Sequence, residues 1–381
     1  MTKICFVTTT SLTIKSFVLP IAEALHKELG WDVAIACAPD DDLKSSLPSF
    51  ISMHEVEMTR GVNFEALSAI RSLEGLFREE KFDVVQYSTP NASLYSSIAS
   101  KRAGVKKRIY AQWGIRYVGF EGAKRLLFKA LEKVTCRYST QIFSVSPLNM
   151  AFAVDEDLCE KGRISVIGNG GTIGVDLSQF DYSKKNGWRE DARRELGISE
   201  STVIFGFVGR FSRDKGCNEL LAAIKKCTEK HPNSILLVVG PDEAGQEIDS
   251  SLFDWCKKAG CIRFTGFVPK DSVAKYCSAF DVLVHPTYRE GFGMVIQEAG
   301  ALAVPAITTD VPGASEVMED GKSCRLVSAR NADALASAMI ESAENPGSLM
   351  VMGRAARKRV ELLYERSIML NNQVDAYRGL L

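Results

Sequence analysis

Short apolar strands alternate with helical stretches along the whole of this chain, and that alternation constrains the fold more than any other feature. KICFVTT, DVAIACA, FDVVQY, RIYAQ and QIFSVS in the first half are apolar at consecutive positions. VIFGFVG, SILLVVG, IRFTGF, VLVHP, PAITT and SCRLV repeat the alternation as strands in the second. Strands of this kind are buried on both faces, as in a parallel sheet covered by helices. Helical patterns lie between them: VLPIAEALHKELG, closed by Gly30, then FEALSAIRSLEGLFREE and ASLYSSIASKRAG. The pattern predicts two doubly wound, Rossmann-like α/β sheets with right-handed crossovers. At 381 residues the chain is long for one core, so two domains are expected. The boundary falls in ISVIGNGGTIGVDLSQFDYSKKNGW, rich in Gly, Asn and Ser and followed by a fresh helical start near Trp188. This sets domains at 1–178 and 179–365. Ligands of such sheets bind beyond the strand C-termini, so two facing sheets would enclose a central cleft.

Composition excludes several classes. Lys+Arg and Asp+Glu balance at 47 each, which argues against nucleic acid as a partner. The ten cysteines form no C-x-x-C pair, and several (Cys5, Cys37, Cys227, Cys277) lie in or beside apolar runs, as reduced packed thiols do. The start, MTKICFVTTT, reads as a strand rather than a signal peptide, and no apolar run reaches membrane-spanning length. A cytoplasmic protein is expected.

Chemistry concentrates in TYREGFGMVIQEAGALAVPAITTDVPGASEVMEDG. Glu290 falls in a loop, a Gly-Phe-Gly turn follows, and Glu298 lies near the start of a helix beginning around Gly293. Amides at a helix start, with the positive end of its dipole, suit phosphate. Glycine lets a ligand approach the backbone, and ionised carboxylates accept hydrogen bonds from sugar hydroxyls. Upstream, GFVGRFSRDKGCNELLAAI places Arg210 and Lys215 between a strand and a helix. Cations there oppose the helix dipole, so an anion explains them better than solvent does. One serves as a bidentate fork and one as a point charge for a pyrophosphate. Together these residues read as a binder of a sugar nucleotide.

GR-x₄-K, EGFG, E-x₇-E and PG-x-x-E, in this order at strand ends, resemble the donor-site signature of the retaining glycosyltransferases of family 4, which have the GT-B fold. The resemblance implies that Glu298 bonds the nucleotide ribose and that Glu290 faces the donor sugar or its phosphates. It implies that Arg210 and Lys215 stabilise the leaving diphosphate, so that Glu290, Arg210 and Lys215 form the catalytic set. Gly209, Gly291 and Val295, with the backbone of Phe292, Gly293 and Met294, would complete the phosphate and sugar contacts. Gly240, Phe267 and Val268 would border the base pocket, although ordinary turns account for any one of them nearly as well. Glu316 is open between a ligand role and a helix-dipole partner. A final helix over 366–381 would cross back to the first domain. With no D-x-D at a suitable strand end, two cations and a helix start replace a metal, and no cofactor is expected.

The first domain departs from that family. Many members carry a Gly-Gly turn after the first strand, where this chain has TTTSLTIKSFVLP, offering Thr9, Thr10, Ser11 and Lys15. Many also carry a histidine where YAQWGIRYVGFEGAKR has none, and Gln112, Trp113 and Arg116 stand there as acceptor-side candidates. His285, before Pro286, reads as structural. The TTTSLTIKSFVLP start, the QWGIRY segment and the GNGGTIGVDLSQF hinge look most like bacterial capsule, O-antigen and glycan-assembly transferases. These imply a UDP-sugar donor, hexosyl or N-acetylhexosaminyl, and a saccharide or polyprenyl-diphosphate-linked acceptor. Contact with the cytoplasmic membrane face through KRAGVKKR and GAKRLLFKALEKVTCR is one reading of those basic segments, and solvated helix faces are the other. Two other functions compete with this reading: a GT-B sugar-nucleotide epimerase, whose acids and histidines are not found here, and a non-enzymatic sugar-binding protein, which would normally be exported.

Overall fold

The computed structural model describes residues 1–58, 65–241 and 247–380. Phe64 of one expected helix, residues 242–246 after VVGP, and Leu381 lie outside the described residues. The chain divides into two compact units, Met1–Ile173 with Ser367–Leu381, and Gly174–Arg366. The sequence reading sets these divisions at 178/179 and 365/366.

The first unit is built on seven parallel strands: β1 (Lys3–Val7), β2 (Asp32–Cys37), β3 (Ile51–Glu55), β4 (Val84–Tyr87), β5 (Lys107–Gln112), β6 (Gln141–Ser144) and β7 (Ile164–Val166). Their order is β3-β2-β1-β4-β5-β6-β7. The chain winds outward one way from β1 and then reverses beyond it, which is the doubly wound plan. Helices cover the sheet, among them α1 (Leu19–Leu29), α2 (Pro90–Arg102) and α3 (Gly122–Tyr138). Gly30 ends α1 at φ +66°, a left-handed position that favours glycine. The buried residues Val7, Ala34, Val85 and Tyr110 pack with Leu73, Phe77 and Ala99 in one core.

The second unit repeats the plan with six parallel strands: β8 (Val203–Val208), β9 (Ser234–Val239), β10 (Ile262–Phe264), β11 (Val282–His285), β12 (Ala306–Thr309) and β13 (Cys324–Val327). Their order is β10-β9-β8-β11-β12-β13, so the winding reverses between β8 and β11. Register there pairs Val282 with Phe205 and Leu283 with Gly206. Gly206 has no room for a side chain, because a Cβ would meet the Phe280 ring at 2.1 Å. Helices α4 (Cys217–Lys230) and α5 (Met294–Ala301) follow β8 and β11. The last helix, α6 (Arg366–Arg378), returns the chain to the first unit. Its Tyr377 is buried against Phe6, Trp31 and Phe143.

Two strands escape the sequence reading. ISMHE forms β3 at the sheet edge, where Ser52 and Glu55 are exposed and the apolar run is broken. β7 is three residues long and falls in the segment assigned to the linker. All ten cysteines are free thiols, and nine are buried.

Candidate active site

A doubly wound sheet opens a crevice where its winding reverses, because the loops after the two central strands turn to opposite faces. In the second unit those loops follow β8 and β11, and they hold Arg210, Lys215 and Glu290. The loop after β8 is tied to the loop after β11. Tyr288 donates its N–H to the Asp214 carbonyl (3.0 Å), and Ser212 Oγ bonds Asp214 Oδ1 (2.6 Å). Gly216, at φ +72°, lies so close to Pro286 that a Cβ would stand 1.9 Å from the Pro286 carbonyl. This packing delivers Lys215 to Glu290. Lys215 Nζ donates to Glu290 Oε2 at 2.8 Å. His285 Nε2 meets the same oxygen at 2.9 Å, and the Gly291 N–H donates to Oε1 at 3.1 Å. Burial alone would raise the Glu290 carboxyl, but His285 and Lys215 outweigh it and hold the group well below the usual carboxylate range. Glu290 is therefore an anion at any working pH.

Arg210 is exposed and makes no hydrogen bond or ion pair with the described residues. Beside it the backbones of three strand ends crowd together. Gly209 donates its N–H to the Val239 carbonyl, and a Cβ on Gly240 would come within 2.3 Å of the Gly209 carbonyl. Gly240 in turn bridges Gly266. The Phe267 ring that follows is 86% exposed and has no aromatic or cation partner among the described residues, an unusual position for a large aromatic. Val268 is half-buried.

Helix α5 starts at Met294 with Gly293 as its N-cap. The PGASE turn locks this start. Gly313, at φ +79°, accepts the Gly293 N–H at 3.1 Å, and its own N–H donates to Glu316 Oε2 at 2.9 Å. A Cβ on Gly313 would stand 2.2 Å from the Gly291 carbonyl and 2.7 Å from that of Glu290. Glu316 thus caps its own turn, and the Gly293 and Gly291 amides expected to meet ligand are already engaged by protein. Phe292 is buried and packs edge-on against Tyr364, while Met294 and Val295 are half-buried.

Glu298, one helical turn into α5, has a different environment. It makes no hydrogen bond with the described residues, and burial pushes its carboxyl up to about 7 against the opposing pull of Lys270 and Arg366. A carboxylate poised in this way gains from any donor pair brought to it.

In the first unit the acceptor-side candidates are largely occupied. Lys15 Nζ pairs with Asp40 (3.3 Å), and the Ser11 hydroxyl, the Leu43 amide and Lys15 hold the Asp40 carboxyl down at about 2. Gln112 is fully buried and donates to Glu132 Oε1 at 3.0 Å, where it meets the Tyr110 hydroxyl (2.8 Å). That side chain is directed into the domain rather than towards an acceptor. Trp113 packs against Phe17, and Arg116 lies over the Phe128 ring at 4.8 Å. Thr9 and Thr10 adjoin the winding reversal of this sheet, where Thr9 donates its N–H to Thr89 Oγ1 at 3.0 Å. Among the described residues no group of three or more His, Cys, Asp or Glu side chains is placed to hold a metal ion, and no helix is long and apolar enough to cross a membrane.

The sequence reading did not find His285 as a partner of Glu290. Its only signal was position: a histidine ending the strand whose loop carries the first glutamate.

Comparisons with known proteins bear on the family and the fold. The family model "Glycosyl transferases group 1" matches residues 189–359, and "Glycosyl transferase 4-like" matches residues 3–146. The capsular polysaccharide biosynthesis glycosyltransferase CapM of Staphylococcus aureus is 31% identical over 330 residues, which are 86% of this chain and 85% of the relative. The Escherichia coli UDP-Gal:alpha-D-GlcNAc-diphosphoundecaprenol alpha-1,3-galactosyltransferase is 22% identical over 87% of this chain and 84% of its own. The crystal structure of Anabaena HepE in complex with UDP and glucose superposes with a TM-score of 0.81 at 18% identity, covering 100% of both chains. That last likeness speaks for the fold alone.

Proposed function

Because this chain belongs to the family 4 glycosyltransferases of GT-B fold, with a role in polysaccharide and glycan biosynthesis, we propose that it moves a hexosyl or N-acetylhexosaminyl group from a UDP-sugar with retention of configuration. The observation that carries the donor assignment is the Lys215–Glu290 pair at the winding reversal, between the exposed Arg210 and the start of α5. A diphosphate entering there meets Arg210 as a planar fork and Lys215 as a mobile point charge, with the helix start beyond. As the bond to the sugar breaks, negative charge builds on the leaving diphosphate, and these groups stabilise it. Protein cations supply the neutralisation that a divalent metal would otherwise provide. Glu298 accepts hydrogen bonds from the ribose hydroxyls. Glu290, released from Lys215, offers its free lone pairs to hydroxyls of the donor sugar. Gly209, Gly240, Phe267 and Val268 border the base, with the Phe267 ring as a stacking surface.

The acceptor is a saccharide carried on a polyprenyl diphosphate, a reading supported by the E. coli relative's printed activity. The α3 surface suits a membrane-bound acceptor: Leu126 (70% exposed) and Leu127 (52%) lie beside Lys124 and Arg125. Apolar side chains among cations favour an anionic membrane surface, here the cytoplasmic face.

The test is incubation with a panel of UDP-sugars and lipid-diphosphate saccharides. Glycoside should form with release of UDP, and Arg210→Ala and Lys215→Ala should each cut turnover by orders of magnitude while leaving the fold intact. Isomerised nucleotide sugar, or near-normal turnover in both variants, would refute the proposal.

A further inference from the structure

The Glu290 carboxylate has two cationic or donor partners on one oxygen, Lys215 Nζ at 2.8 Å and His285 Nε2 at 2.9 Å. The two differ in freedom. Lys215 sits on a four-carbon stem with its side chain 25% exposed, whereas the His285 side chain is 3% exposed. The His285 backbone is fixed as well, since its carbonyl accepts Thr308 Oγ1 at 3.0 Å and β11 is pinned between β8 and β12. A carboxylate only accepts, so the imidazole carries a hydrogen on Nε2. The other ring nitrogen, Nδ1, is buried and has no partner among the described residues. An orphaned buried nitrogen is a standing cost to the fold, and a side chain kept for packing alone would be apolar. The histidine therefore answers to something other than core filling.

We propose that His285 is a positioning residue for Glu290, holding the carboxylate in place when Lys215 turns to the donor diphosphate. The proposal rests on the donor-site reading above. Without substrate, Lys215 and His285 share Oε2. Once the diphosphate draws Lys215 away, Glu290 would lose its counter-ion and swing. The His285 Nε2–H and the Gly291 N–H then define its orientation, one on each oxygen, so that the lone pairs left over point at the sugar. The aliphatic stem of Lys215 can follow the phosphate because the immobile ring keeps the carboxylate where it is.

The test uses the full chain. His285→Phe keeps a ring without a donor, and His285→Gln restores an N–H near the Nε2 position. His285→Phe should lower kcat on the order of 10²-fold, the scale of an ångström-sized misplacement of a reacting group. KM for the donor should move by less than about 3-fold. His285→Gln should recover most of the loss. Nitrogen-15 NMR of the histidine rings supplies a readout that does not need turnover. The chain has only four histidines, so His285→Gln identifies the signal. The ring should show a protonated Nε2 hydrogen-bonded to the carboxylate in the free protein, and that signature should be lost in Glu290→Gln. A ring protonated on Nδ1 alone, wild-type kcat in His285→Phe, or a His285→Gln variant as impaired as His285→Phe would overturn the assignment. If the wild-type chain transfers no sugar, the transferase reading fails, and the ring signals still decide whether the clamp exists.

Discussion

Glu298 gives the sharpest quantitative expectation, because a ribose ligand must be ionised and this one titrates near neutrality. Burial lifts its carboxyl to about 7 from an ordinary value of 4.5, with Lys270 and Arg366 opposing. At pH 6 such a group is ionised in roughly one molecule in eleven, and at pH 8 in roughly ten of eleven. If the ribose hydroxyls bind only the carboxylate, donor affinity should rise about 10-fold between pH 6 and pH 8, or about 1.4 kcal/mol. Binding at pH 6 should release about one proton. A UDP-sugar is the ligand to use, because its doubly esterified diphosphate does not titrate in this range. Calorimetry in two buffers of different ionisation enthalpy measures affinity and proton release together. Glu298→Gln should weaken binding at pH 8 by about 1–3 kcal/mol and abolish the slope. Flat affinity from pH 6 to pH 8, or an unchanged slope in Glu298→Gln, would refute the assignment. For folding, the sign is the reverse of a salt-bridged carboxylate. The folded state keeps a proton that the unfolded chain loses, so this group's contribution to stability falls as pH climbs from 4.5 to about 7.

Glu290→Gln should leave affinity for bare UDP within about 3-fold while kcat falls, since its proposed contacts are to the sugar; equal losses of UDP affinity in Glu290→Gln and Glu298→Gln would erase the division of roles. Saturating EDTA should leave the rate unchanged, and a collapse restored by Mg²⁺ or Mn²⁺ would show that protein cations do not suffice. Gly313→Ala should lower stability by about 2–4 kcal/mol in chemical denaturation, because its Cβ meets the Gly291 carbonyl at 2.2 Å. Gly30→Ala, at a similar φ but with open space around it, should cost about 1–2 kcal/mol, and equal losses would mean that the PGASE turn does not press on the Glu290 loop.

The alternation of apolar strands conveyed both sheets because burial on two faces leaves an unbroken apolar run in strands such as β8 and β9, while β10 and β13 show only the flanking apolar residues around an exposed arginine. It missed β3, where an edge position tolerates Ser52, His54 and Glu55, and β7, too short to show a period. The donor candidates were legible since each follows a strand in sequence as well as in space: Arg210 and Lys215 after β8, Glu290 after β11. The His285–Glu290 contact was not, because a short hydrogen bond between a strand end and the loop after it leaves no period and no motif. The protein partners of the Gly291 and Gly293 amides were hidden for a similar reason. Those partners, the Glu290 carboxylate and the Gly313 carbonyl, depend on how two loops fold onto each other. Gln112 shows the same limit in the first unit, where only the fold reveals that Glu132 waits behind it.

The central claim is that the β8–β11 crevice transfers sugar with its configuration kept. Proton NMR of the glycoside made from an α-linked UDP-sugar reads this directly from the anomeric coupling. The expected product is the α-glycoside, formed one-for-one with UDP by the wild-type chain and absent with Lys215→Ala. A β-linked product, or UDP-sugar consumed without any glycoside, would contradict it.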